Sequence, residues 1–120
     1  MQYRKMGKSD VEISVMTMGC WALAGGRTWG PQDEEDAIAA LKTAVDCGIN
    51  FFDTAEGYGN GRSEELVGRA LGNVRDKILI ATKVSSNHLR PKDLRAACEG
   101  SLKALGTDYI DVYYIHWPNW

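Results

Sequence analysis

The spacing between apolar positions changes several times along this chain, and each change marks an element. Gln2 to Met6 and Val11 to Val15 alternate in short runs around Gly7-Lys8-Ser9-Asp10, which predicts a β-hairpin with a four-residue turn. Met16 to Trp21 is more continuously apolar, as a buried strand is, and opens into a loop rich in glycine and tryptophan, Ala24 to Pro31. The apolar period then lengthens. Ala37, Ile38, Leu41, Ala44 and Val45 share one helical face. Asp33 is placed to cap that helix, Glu34, Glu35 and Asp36 suit the positive end of its dipole, and Gly48 stops it. Ile49 to Thr54 predicts a second buried strand, followed by a loop to Gly61. Ser63 is expected to cap a second helix whose face is Leu66, Val67, Ala70 and Leu71. Asn73-Val74-Arg75-Asp76 turns the chain into a third strand, Ile78 to Lys83. Pro91 suits the first turn of a third helix, with Leu94, Ala97, Cys98, Ser101, Leu102 and Leu105 inward and Gly106 as terminator. A fourth strand, Ile110 to His116, runs into Trp117-Pro118-Asn119-Trp120.

After the hairpin the order is βαβαβαβ, which predicts an α/β domain with a parallel sheet and right-handed crossovers. Residues 1–15 form the hairpin and 16–120 four strands with three helices, with no linker between them. Each buried strand ends in a residue with chemistry: Cys20-Trp21, Asp53, Lys83 and His116. The steps from Cys20 to Asp53, Lys83 and His116 are 33, 30 and 33 residues, the period of a βα unit. All four positions therefore belong to the C-terminal rim of the sheet, where α/β proteins bind their ligands.

Composition narrows the function classes. A chain of 120 residues, 44% hydrophobic and 25% charged, matches one small globular domain. A net charge of −2 gives no basic footprint, which argues against a nucleic-acid partner. No apolar run approaches the ~20 residues that span a bilayer, and no apolar stretch of a signal peptide follows the N-terminus, so a membrane is not an expected partner. Three widely spaced cysteines, Cys20, Cys47 and Cys98, read as reduced thiols of a cytoplasmic protein. No pair of them has metal spacing and the two histidines lie far apart, so no metal site is expected.

The residues at the rim fit one reaction. A phenol holds its proton too tightly to be an efficient donor near neutrality, and a nearby ammonium loosens it by favouring the phenolate. Tyr58 stands in the loop after the second strand, Lys83 can be the cation, and Asp53 can hold that cation by a charge-assisted hydrogen bond. His116 can donate a second hydrogen bond to a carbonyl oxygen that turns negative on reduction. Such a site lacks a hydride, which a nicotinamide cofactor would bring. Singly, each residue has an ordinary reading. Asp53 can cap a turn, Tyr58 can pack on the surface, Lys83 can be a solvated charge and His116 a satisfied structural histidine. Jointly, four polar positions at one rim on the βα period are poorly explained that way. Cys20 reads as a packing residue rather than a nucleophile. His88 reads as a loop residue with a substrate contact as the alternative. Asp111 reads as the partner of a basic residue in the sheet wall that the sequence does not name.

Phe52-Asp53-Thr54-Ala55 with Tyr58, Ala81-Thr82-Lys83, and Asp111 to Pro118 together resemble the aldo/keto reductase signatures. Gly19-Cys20-Trp21 and the run from Gly57-Tyr58-Gly59 to Ser63-Glu64 are similar to that family as well. The resemblance implies a TIM-type (β/α)8 barrel closed at the bottom by the hairpin, of which this chain holds the hairpin and about four βα units. It also implies NADPH-dependent reduction of an aldehyde or ketone. Tyr58 would be the general acid, Asp53 and Lys83 would tune it, and His116 would orient the carbonyl. Cys20, Trp21 and Asp53 would touch the cofactor near its nicotinamide, and Trp29 and Trp117 would wall the substrate pocket.

A complete barrel of this type takes about 250 residues. The expectation is therefore a fragment of a longer reductase, or a half-barrel that pairs with a second half-barrel or a second copy. Two other functions are weighed: a regulatory, cofactor-sensing or structural half-barrel without turnover, and a Schiff-base lyase using Lys83 as the amine nucleophile.

Overall fold

The structure is a computed structural model that describes residues 1–119; Trp120 lies outside the described residues. The hairpin forms as β1 (Tyr3–Lys5) and β2 (Glu12–Ser14), paired antiparallel. Then come β3 (Met18–Gly19), a one-turn helix α1 (Gly26–Trp29), α2 (Glu34–Asp46), β4 (Phe51–Asp53), α3 (Arg62–Leu71), β5 (Leu79–Val84), α4 (Pro91–Leu105) and β6 (Val112–Ile115). Strands β3, β4, β5 and β6 form one parallel sheet in chain order, with helices between them. This is the α/β architecture that the βα period predicts. β3, β4 and β6 are shorter than the runs that predict them, while β5 keeps six residues and is shifted by one, Leu79–Val84.

Register decides which side chains share a face. Gly19 pairs with Asp53, Asp53 with Ala81, and Lys83 with Tyr114, so these residues look out of one side of the sheet. Met18, Phe52 and Ile80 look out of the other, where the helices lie. The core gathers there: Leu41 and Ala44 of α2, Val67, Ala70 and Leu71 of α3, and Leu105 of α4 pack with Phe52, Ile78 and Ile80. Gly68 lets α3 and α4 approach closely, since a Cβ there would collide with the carbonyl of Leu105.

Asp33 caps α2 as its position predicts, its carboxylate accepting from the Asp36 N–H at 3.0 Å. Ser63 does not cap α3. That helix begins at Arg62 behind Gly61, and no side chain caps it. The buried Ser63 hydroxyl instead donates to the Cys20 carbonyl (2.8 Å) and accepts from the Thr54 hydroxyl (2.9 Å), tying together the ends of β3 and β4. The two sheet ends outbid the helix for the hydroxyl because both offer it a dry partner. In α4 only Ser101 and Leu105 are fully buried; Leu94, Ala97, Cys98 and Leu102 are half-buried.

The hairpin is pinned at the N-terminal end of the sheet, opposite the rim. The Asn50 carboxamide accepts from the Ser14 N–H (2.7 Å) and donates to the Glu12 carbonyl (3.0 Å), while the Tyr3 hydroxyl donates to the Gly48 carbonyl (2.7 Å). At the same end Asp111 finds its basic partner. Arg75, in the 3-10 segment between α3 and β5, donates to Asp111 (2.7 Å) and to the carbonyls of Ile78 (3.0 Å) and Tyr109 (2.9 Å). Asp111 also accepts from the Ile80 N–H at 2.8 Å.

Candidate active site

Strand β4 ends on Asp53 and strand β5 carries Lys83 one residue before its end, so both side chains emerge together at the rim. The Lys83 ammonium spends its three protons within reach. It donates to the Asp53 carboxylate at 2.6 Å, to the Thr54 carbonyl at 2.7 Å and to the Tyr58 hydroxyl oxygen at 3.3 Å. Because the phenol oxygen accepts from Lys83, its own proton is left to donate elsewhere. The loop that carries Tyr58 is closed by local bonds, with the Tyr58 N–H on the Ala55 carbonyl (3.0 Å) and the Ser63 N–H on the Tyr58 carbonyl (3.2 Å). Gly59 permits its close approach to the turn after β3, where a Cβ would lie 2.7 Å from the Ala24 Cβ.

His116 follows β6 directly and is held by its N–H on the Val84 carbonyl at 2.9 Å. Its imidazole stands edge-on to Tyr58, ring centroids 5.4 Å apart. Partial burial and the nearby Lys83 ammonium hold its pKa below the ordinary histidine value. A neutral imidazole keeps one N–H to donate and one nitrogen to accept.

Aromatic rings continue on both sides. Trp21 stacks on Tyr58 (5.9 Å between centroids) and meets Trp29 edge to face (5.4 Å), while Trp117 stacks on His116 (5.6 Å). Trp21, Trp29 and Trp117 are all exposed. Asp53, Tyr58, Lys83, His116, Trp21, Trp29 and Trp117 are thus brought to one rim. Cys20 is not brought into the space they share. It is 1% exposed, its thiol faces the Met18 carbonyl, and burial with the adjacent Asp53 pushes its pKa up to about 12.

One group beside the site has no signal in the sequence. The Glu56 carboxylate accepts from the Ser85 N–H at 2.6 Å and pairs with His88 Nδ1 at 2.9 Å, joining the Tyr58 loop to the loop after β5. Glu56 stands off every apolar period and His88 lies in a short 3-10 turn, so only the folded contact pairs them.

Residues 15–120 match the sequence profile described as the aldo/keto reductase family. The chain is 39% identical to the aldo-keto reductase YhdN of Bacillus subtilis, over 99% of this chain and 39% of that protein. Its fold superposes with a TM-score of 0.91 and 42% identity on a thermostable aldo-keto reductase solved with the inhibitor epalrestat, covering 99% of this chain and 44% of the other. An aldo-keto reductase of Klebsiella pneumoniae solved with NADPH is 33% identical, with a TM-score of 0.82, over 90% of this chain and 37% of that one. The chain thus spans about two fifths of the length of the curated relatives it matches. With a family profile matched over nearly its whole length and the parallel sheet of the family's N-terminal portion, this chain belongs to the aldo/keto reductase family.

Proposed function

We propose that this chain carries the proton-donating side of a reductase that converts an aldehyde or ketone to an alcohol with NADPH. The observation that carries the reading is the Lys83 ammonium set between the Asp53 carboxylate (2.6 Å) and the Tyr58 hydroxyl oxygen (3.3 Å). Tyr58 gives its proton to the carbonyl oxygen as that oxygen gains charge. Lys83 stabilises the negative charge left on the phenol oxygen, and Asp53 keeps the ammonium in place. His116, neutral, donates its N–H to the same carbonyl oxygen and orients it. Trp29 and Trp117 wall the substrate side. The residues present fit one end of a nicotinamide cofactor: an exposed indole, Trp21, beside a carboxylate, Asp53, whose side chain is 31% open. Bound there, NADPH would supply the hydride.

Lys83 has no proton unclaimed among its three acceptors, which supports a tuning role over that of a Schiff-base nucleophile. The test is NADPH oxidation with a panel of aldehydes and ketones, for the wild type and Tyr58→Phe. The reading expects a loss of about 10²- to 10⁴-fold on removing the phenol proton donor. Turnover unaffected by Tyr58→Phe would sink it. Borohydride trapping of substrate on Lys83 would favour the lyase, and cofactor binding without turnover would favour a sensing or regulatory half-barrel.

The same reading needs cover for the sheet, whose strands β3 and β6 each have one neighbour among the described residues. Beside the free edge of β6, Tyr114 and Ile115 are exposed at 42% and 60%, an unprotected apolar edge. Further strands of a longer reductase chain would pair both edges, and so would a second half-barrel, in the simplest case a second copy with its strands parallel to these. Light scattering on the purified 120 residues tests the second copy: a dimer supports it, and a well-behaved monomer would overturn that pairing.

A further inference from the structure

Glu56 stands two residues before Tyr58, and Ser85 stands two residues after Lys83. The two stretches are joined twice. The Glu56 N–H donates to the Lys83 carbonyl at 3.3 Å, and the Glu56 carboxylate takes the Ser85 N–H at 2.6 Å. A third bond, accepted by the same carboxylate oxygen from His88 Nδ1 at 2.9 Å, extends the tie one 3-10 turn further. Gly57 packs against this tie, since a Cβ there would lie 3.7 Å from the Ser85 hydroxyl. The side chain of Glu56 is 16% exposed, so these bonds are made largely out of water. Burial alone would raise its pKa, and the hydrogen bonds from Ser85 and His88 outweigh that and lower it, so the group is an anion at neutral pH.

By contrast, Lys83 reaches Tyr58 by one long hydrogen bond of 3.3 Å, with its ammonium 4.9 Å from the ring centroid, against 2.6 Å to Asp53. That contact ends on a flexible side chain, whereas the ties at Glu56 and Ser85 run through the main chain. The loop bearing the phenol carries positive φ at Gly59, Asn60 and Gly61 in succession, a backbone with other conformations open to it. The bonds from Tyr58 to Ala55 and Ser63 close this loop on itself, and the ties of Glu56 fasten it to the strand that carries Lys83.

We infer that Glu56, bonded to Ser85 and His88, is a positioning clasp that sets the separation of Tyr58 and Lys83. It touches neither substrate nor cofactor. It acts by fastening the loop of the proton donor to the strand end of its cation. The catalytic consequence rests on the reductase reading above; the positioning itself does not.

Two measurements keep these apart. The first needs no turnover. Nuclear Overhauser contacts between the Tyr58 ring and the Lys83 side chain, and hydrogen exchange of the Tyr58 and Ser85 amides, are compared in wild type, Glu56→Ala, Glu56→Gln and His88→Gln. Glu56→Ala should lose the contacts and speed exchange at both amides by tenfold or more, without change at Ile80. Glu56→Gln, whose amide oxygen still accepts from Ser85, should recover most of the protection, and His88→Gln should loosen the loop only partly. Circular dichroism establishes that each variant is folded, and should Glu56→Ala not fold, the Gln pair carries the comparison. Contacts and exchange unchanged in every variant would overturn the clasp.

The second measurement is turnover. Glu56→Ala should lower kcat roughly a hundredfold, the scale of an ~1 Å misplacement, with KM little changed and an enlarged solvent isotope effect. Glu56→Gln should restore kcat to within a few fold. A loosened loop with unchanged kcat would overturn the catalytic consequence. A wild type that shows the contacts but oxidises no NADPH would instead count against the reductase reading and leave the clasp standing.

Discussion

The Lys83 ammonium and the Asp53 carboxylate lie 2.6 Å apart with side chains 14% and 31% exposed, a pair too enclosed for water to replace either partner freely. Removing Lys83 alone leaves a lone carboxylate beside the phenol, which opposes charge on the phenol oxygen, so the two losses are coupled. Lys83→Met should lower turnover by about 10²- to 10³-fold, as loss of a donor to a developing anion does. Lys83→Met combined with Asp53→Asn should fall less than the sum of the two single effects. Steady-state rates for the four proteins close the cycle, and strict additivity would mean that Asp53 and Lys83 act independently.

His116 offers a pH test. Its folded pKa is lowered by partial burial and by the Lys83 charge, while the ordinary histidine value is about 6.5. The imidazole therefore stays neutral throughout the neutral range and gains its proton only below that value. The pH–rate profile should be flat on its acid side down to about 6.5 and fall below it, because imidazolium beside Lys83 adds a second positive charge at the rim. In His116→Gln the acid limb should vanish. A limb at or above 6.5 that persists in His116→Gln would assign the titration to another group.

Much of this was legible in the residues. The hairpin, the three long helices and the four-strand order follow from turns, apolar period and the recurring interval between strand ends. The βα period brought Asp53, Lys83 and His116 to one rim because strand ends in a parallel sheet share a side. What was not legible is contact between loops. Glu56 and His88 meet 32 positions apart with no periodic signal, and Arg75 reaches Asp111 across 36. Ser63 misled for the opposite reason. Its local pattern is that of a helix cap, and the folded chain offered its hydroxyl two buried partners instead.

Arg75 and Asp111 anchor the floor of the sheet. Both side chains are largely enclosed, 12% and 17% exposed, and Asp111 also satisfies the Ile80 N–H. Arg75→Met leaves a partly enclosed carboxylate without its cation and the Ile78 and Tyr109 carbonyls without the guanidinium. Loss of one partner should cost more than the ~1 kcal/mol of an exposed pair and less than the ~3–5 kcal/mol of a fully buried one. Denaturant unfolding should show that loss, and Arg75→Met with Asp111→Asn should recover part of it. A loss below about 1 kcal/mol would mean that the pair is solvated and only decorates the surface.

Glu64 yields the last expectation, on stability against pH. It lies in the first turn of α3, is 1% exposed, and its carboxyl accepts from the Thr82 hydroxyl at 2.6 Å. Burial raises its pKa more than that bond lowers it. The folded protein then holds the Glu64 proton more tightly than the unfolded chain does. Between the unfolded value, about 4.3, and the raised folded value, the native state binds more protons, so stability from this group declines as pH rises through that window. Glu64→Gln keeps an acceptor for Thr82 and cannot ionise. Urea unfolding at a series of pH values should therefore show the variant gaining on the wild type as pH climbs, and matching or trailing it at the acid end. A difference between the two proteins that does not change with pH would show that Glu64 keeps its ordinary titration when folded.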